Sequence, residues 1–406
     1  VREYLLVFLV AAATTYLLTV IAREIALRTG AVAQVRDRDV HAVPIPYLGG
    51  LAMLGGLVAA YFVARQLPFL SQRGGPFVFR DAGIVLIAGA LICAVGVLDD
   101  LFELDALTKL GGQVLAAGFL VTFGIQYYFF PQSDSTQWLL DPAQGALLTG
   151  FIVVATVNAV NFVDGLDGLA AGVVGIGAVA FFVFCYQLAN INNVSLATTG
   201  ALLSAALAGA CAGFLPHNFH PARLFMGDSG SMLIGLVLSA SAVTLTGQFS
   251  VDQISAGGAG SRASFLPTLL PLLLPISILI IPILDLVLAV VRRTRAGRSP
   301  FAPDKQHLHH RLLEIGHSHR VAVLIMWLWA GLVAFTTVLI SLYSDDPWTW
   351  WSLGAMAAVT IGLTFLLPKL HRPAEPPARP APPPSSGPSE PPAGSVSLPE
   401  DHLSTS

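Results

Sequence analysis

Four short segments gather acids, amides, histidines and basic residues at spacings that could do polar chemistry. In VGVLDDLFELDALTKLGGQ, Asp99 and Asp100 stand side by side and Lys109 follows ten residues after the first. Hard cations such as Mg²⁺ prefer carboxylate oxygens, so the pair reads as a divalent-metal or phosphate site, or as a solvated loop between helices. NAVNFVDGLDGLAAG spaces Asn158, Asn161, Asp164 and Asp167 three apart, with each Asp followed by Gly. Asp-Gly pairs make tight turns that let backbone approach a ligand. A plain re-entrant turn explains the glycines but not the four amides and acids.

HNFHPARLFMGDSGS places Asp228 before Ser-Gly-Ser at a helix start. That is an N-cap arrangement; equally, it is a phosphate cradle on the free N–H groups of a helix N-terminus, with Asp228 holding Mg²⁺. SPFAPDKQHLHHRLLEIGHSHR carries His307, His309, His310, His317 and His319 in a basic stretch. It reads as a lipid-headgroup contact, or as histidines and Arg311 donating to phosphate. Asp285 lies inside the apolar run IPILDLVLAVVRR. It is either a functional intramembrane acid or the partner of Arg292. Together, carboxylates, a basic His/Arg loop and a helix N-terminus suit a doubly anionic substrate with Mg²⁺. Phosphoryl transfer needs positioning and charge neutralisation of this kind.

The elements that must hold these residues are set by composition. Of 406 residues, 54% are hydrophobic and 11% charged, against about 25% charged in an average soluble protein. Such a chain cannot dress a water-soluble surface, and its net charge of −3 gives no reason to expect nucleic acid. The three cysteines sit in apolar runs without metal or disulfide spacing. Apolar runs of membrane-crossing length fall near 4–22, 47–64, 82–98, 110–126, 145–160, 169–188, 197–215, 230–247, 265–291, 321–342 and 349–367. This predicts an all-α polytopic membrane protein of about eleven transmembrane helices, with no strand signal. The first run is too long for a cleaved signal peptide. Alternating the loops puts 16 of the 21 basic residues on one side. The positive-inside rule makes that side cytoplasmic and the N-terminus external. The segments with the polar motifs fall on the cytoplasmic side, so the active site belongs on that face. Residues 1–368 form the transmembrane catalytic domain, and the Pro/Ser-rich stretch 369–406 reads as a disordered cytoplasmic tail.

The pieces HAVPIPYLGG, LDD, TKLGGQ, NAVNFVDGLDGLAAG, FMGDSGS and DKQHLHHRL occur in one order between Arg36 and His319. In these the chain resembles the polyprenyl-phosphate N-acetylhexosamine-1-phosphate transferases, and PIPYLGG with HLHHRL looks like their N-acetylglucosamine branch. The resemblance implies transfer of GlcNAc-1-phosphate from UDP-GlcNAc to a polyprenyl phosphate in the plasma membrane, releasing UMP. Mg²⁺, or Mn²⁺ in its place, is the implied cofactor. It implies that Asp228 coordinates the metal with Asp99 and Asp100 beside it, one of them orienting or deprotonating the lipid phosphate. Asn161, Asp164 and Asp167 would help bind the metal and the nucleotide, Asn158 would line the substrate site, and Phe225 would stack on uracil. Lys109 would approach the transferred phosphate, and His307, His309, His310 and Arg311 would hold the diphosphate or sugar. His41 stands in HAVPIP where many relatives have basic residues. The pentapeptide-transferring branch of the same superfamily and a secondary transporter are the competing readings. A lateral homodimer is compatible with such a bundle.

Overall fold

The computed structural model describes residues 1–32, 44–73, 75–133, 136–191, 197–246, 294–295, 317–343 and 346–370. The helices are α1 (Arg2–Thr29), α2 (Gly49–Ala64), α3 (Pro68–Arg73), α4 (Gly75–Phe102) and α5 (Ala106–Thr122), followed by α6 (Pro142–Val163), α7 (Leu169–Ile191), α8 (Ala197–Asn218) and α9 (Gly227–Thr246). After a gap come α10 (His319–Tyr343) and α11 (Pro347–Leu370). Ten of the eleven expected spans coincide with one of these helices. The run at 265–291 lies outside the described residues, as do Asp285, His307, His309, His310, Arg311 and the tail from 371.

Among the described residues, seven helices are long and apolar enough to cross a membrane: α1, α4, α6, α7, α8, α9 and α10. α2 and α5 are apolar but shorter. Burial sorts them. The apolar windows of α8 and α9 are 89% and 94% buried, against 28% for α1 and 33% for α10. A helix that is apolar all round belongs either inside a bundle or against lipid. Small residues decide which: ALLSAALAGACAG in α8 and SGSMLIG in α9 let neighbouring backbones approach closely. α9 is thus central, packed by α4, α6, α8 and α2, while α1 lies across α2 and α8, and α10 rests on α7. The outer helices carry large exposed apolar side chains such as Leu17, Leu115, Leu147 and Phe151, as lipid-facing surfaces do.

One expectation is corrected. The chain is not all-α: β1 (Phe129–Ser133) and β2 (Thr136–Leu139) form an antiparallel hairpin, Phe129 opposite Leu139. Strands of five and four residues are too short to show an alternating pattern in sequence. Pairing them satisfies backbone groups that a loop beside the bilayer would otherwise leave open.

The helices alternate in direction, so the loops divide between two ends of the bundle. The hairpin, the C-terminal end of α7 and the start of α11 share one end, where Trp138, Trp348, Trp350 and Trp351 are exposed. The segments around Asp99, Asp164, Asp228 and His319 share the other. Exposed tryptophans are the usual girdle of a membrane interface.

Candidate active site

The site is built around the first turn of α9. Two glycines let the surrounding backbone in. A Cβ on Gly50 of α2 would overlap Ser229 and Gly230, and one on Gly96 of α4 would overlap Ser229 and Asp228. Gly96→Ala is expected to force α4 off α9 at the end that carries the carboxylates, costing about 1–3 kcal/mol of stability, as overpacking does. A thermal unfolding curve in detergent checks this; an unshifted midpoint would refute the close approach.

Asp100 supplies the cap for that turn. Its Oδ1 accepts the Asp228 N–H at 2.8 Å and its Oδ2 the Ser229 N–H at 3.3 Å. The helix begins at Gly227, so Asp228 lies within its first turn rather than before it. Its side chain faces outward from the cap. The capping acceptor is therefore a carboxylate 128 positions away, and the Asp228 and Ser229 N–H groups, which a phosphate cradle would use, already hold it.

Asp228 meets a cation and an amide. Lys109 Nζ, carried on α5, lies 2.9 Å from Asp228 Oδ2 and 2.6 Å from Asp99 Oδ2. Asn161 of α6 donates to Asp228 Oδ1 and to Ser231 Oγ, both at 2.9 Å. Asp99 is 8% exposed, and its other oxygen accepts the Leu104 N–H at 2.8 Å. α5 is directed at this point by Asp105, whose side chain caps its N-terminus through Leu107 and Thr108. The Asp164 carboxyl, just past α6, is held well above the usual carboxylate range. Desolvation is the main cause, followed by the charges of Asp228, Asp100 and Asp167.

Asp99, Asp100 and Asp228 each offer a carboxylate oxygen within 4.8 Å of the others. A carboxylate has about four lone-pair sites, so the bonds described leave capacity on all three. An oxygen-only donor set with surplus negative charge fits Mg²⁺ or Mn²⁺.

Other expected residues lie apart from this trio. Asn158 forms a reciprocal amide pair with Gln113 of α5, its Nδ2 donating at 2.6 Å. Asp167, 2% exposed, is turned toward the 219–222 segment, accepting from the Ala222 N–H at 3.1 Å and pairing with His220 Nδ1 at 2.8 Å. Phe225 sits beside Tyr47, ring centroids 5.9 Å apart. Its loop is fixed by PIPYLGG: Phe225 N–H donates to the Pro46 carbonyl, and the N–H groups of Gly49 and Gly50 donate to the carbonyls of Phe225 and Met226. That segment positions the site through backbone, and His41 lies outside the described residues.

Sequence reasoning missed Gln113, Ser231, Tyr47 and His220. Gln113 lies four residues after Lys109 and Ser231 three after Asp228, so helical spacing alone places each beside its neighbour. Nothing local marks His220 or Tyr47, whose partners are remote in the chain.

A family model described as Glycosyl transferase family 4 matches residues 82–246. The chain is 49% identical over 375 residues to the decaprenyl-phosphate N-acetylglucosaminephosphotransferase of Mycobacterium tuberculosis, covering 91% of this chain and 90% of that protein. The Mycolicibacterium smegmatis protein of the same name is 47% identical over the same share of each chain. The undecaprenyl-phosphate alpha-N-acetylglucosaminyl 1-phosphate transferase of Escherichia coli is 28% identical, with 80% of each chain covered.

Proposed function

The chain belongs to glycosyl transferase family 4, and from that premise we propose that it transfers GlcNAc-1-phosphate from UDP-GlcNAc to decaprenyl or undecaprenyl phosphate, releasing UMP. This is a first lipid-linked step of cell-envelope polysaccharide synthesis. The observation that carries the reading is the convergence of Asp99, Asp228, Lys109 and Asn161 from four helices at one end of a membrane bundle. The names of the relatives supply the sugar and the lipid class.

Asp228 and Asp99, with Asp100 behind them, would hold Mg²⁺. The ion, when bound, neutralises diphosphate charge and acts as a template. The rest falls to the chain's own side chains. An oxygen of the lipid phosphate forms a new bond to the β-phosphorus of UDP-GlcNAc. The bond from that phosphorus to the bridging oxygen breaks, and UMP carries the bridging oxygen away. Lys109, already between two carboxylates, is within side-chain reach of the group in transit. Asn161 keeps the Asp228 carboxylate in one orientation, and Asp99 would orient or deprotonate the acceptor phosphate. Phe225, on the loop set by Pro46 and Gly49, offers its ring to the uracil. Asp164 would offer a further carboxyl oxygen beside the metal, while Asp167 serves by holding the 219–222 segment.

The basic loop segments support placing this end of the bundle in the cytoplasm, where a nucleotide sugar is available. His307, His309, His310 and Arg311 would approach the diphosphate from the segment before α10. Purified protein with Mg²⁺, polyprenyl phosphate and either UDP-GlcNAc or UDP-MurNAc-pentapeptide tests the assignment. Mass spectrometry is expected to find polyprenyl-diphosphate-GlcNAc from the first donor; a lipid product from the pentapeptide donor alone would overturn it.

A further inference from the structure

Three segments meet beside the carboxylate site without entering it. Asp167 lies three residues after Asp164, in the turn that follows α6. His220 lies eight residues before Asp228, in the loop leading to α9. Their side chains pair at 2.8 Å, which ties the turn carrying Asp164 to the loop carrying Phe225 and Asp228. A carboxylate as buried as Asp167 is costly unless partnered, so the pairing is a strong constraint on both backbones. α10 closes over the joint. The His319 ring stacks on His220 at 4.2 Å with 19° between planes, Arg320 Nε donates to the His220 carbonyl at 2.9 Å, and Trp327 Nε1 donates to the Gly168 carbonyl at 3.2 Å.

Asp167, His220 and His319 also lie within 4.8 Å of one another at a potential ligand atom. Nearly parallel stacked rings direct their nitrogen lone pairs side by side rather than at one point. The trio is therefore arranged as a clasp and not as a metal centre.

We propose that His220 and His319 are positioning residues for the transfer reaction: their clasp on Asp167 fixes the distance between the Asp164 turn and the loop bearing Phe225 and Asp228, and so governs binding of the nucleotide-sugar donor. Among the described residues, the clasp's hydrogen bonds and ring contact join the turn after α6, the 219–222 segment and α10, whereas Asp99 and Lys109 are carried on α4 and α5. Loosening it acts on the donor side and spares the lipid acceptor. The inference rests on the proposed transfer from UDP-GlcNAc.

His220→Ala, His220→Asn and His220→Phe separate the clasp from simple packing. Asn retains an N–H donor for Asp167, whereas Phe retains only the stacked ring. His220→Ala and His220→Phe are expected to raise the KM for UDP-GlcNAc by about tenfold, less than the roughly 10²-fold that a 1 Å misplacement can cost. His220→Asn is expected to restore most of it, and the KM for polyprenyl phosphate to move less than about twofold in all three. An unchanged donor KM in His220→Ala, or rescue by Phe and not by Asn, overturns the proposal. Hydrogen exchange of the full chain in detergent needs no substrate and so judges the clasp even if the donor is another nucleotide sugar. Faster exchange over 164–168 and 219–226 is expected in His220→Ala and in His319→Ala; unchanged exchange in both refutes the clasp.

Discussion

Asp228→Ala is expected to cut UMP release from UDP-GlcNAc by about 10³-fold, equivalent to ~4 kcal/mol of lost transition-state stabilisation. The reason is the side chain's position. It is held between Lys109 and Asn161, and its oxygens complete a donor set with Asp99 and Asp100. Folding is expected to survive, because the α9 N–H groups are capped by Asp100 and not by Asp228. UMP release assayed beside a thermal unfolding curve separates the two effects. A variant that unfolds like the parent protein and keeps more than a tenth of its activity would rule out the metal role for Asp228.

Asp100 is expected to behave differently from its neighbour. Asp100→Ala leaves two N–H groups of a buried helix start without their acceptor, at about 1–3 kcal/mol each. The unfolding midpoint in detergent should fall by several degrees, on the order of what such a loss produces in proteins of this size. Activity falls with it, since α9 then no longer holds Asp228 in place. Asp99→Asn, in contrast, keeps its side-chain carbonyl for the Leu104 N–H while losing the charge that faces Lys109. Activity is expected to collapse there with little change in midpoint. If Asp100→Ala melts with the parent protein, the capping role is wrong.

That contrast shows where reading the chain alone reaches its limit. Asp99 and Asp100 are adjacent and chemically identical, and both look like metal ligands. Successive residues on an α-helix point about 100° apart, so one faces Lys109 and the other faces the backbone of α9. Which is which depends on how α4 is rotated against α9, and that is set by the glycine contact at Gly96. The same limit applies to Asp164 and Asp167, three apart in one motif. The first shares the field of the carboxylate trio, and the second is spent on His220.

The membrane character, the places of ten helices and the motifs that surround the site were all determined by the sequence itself. These follow from local properties: apolar run length, the scarcity of charge, and polar residue types at short fixed spacings. The hairpin escaped because strands of four and five residues carry too little pattern. The capping of α9 by Asp100, the Lys109 bridge between Asp99 and Asp228, and the pairing of His220 with Asp167 were decided only by the tertiary structure. Each includes a contact between residues 53 to 128 positions apart, and such distances close only when helix rotation and depth are fixed by packing. Spacing along one helix predicts its face; which faces meet is a property of the whole bundle.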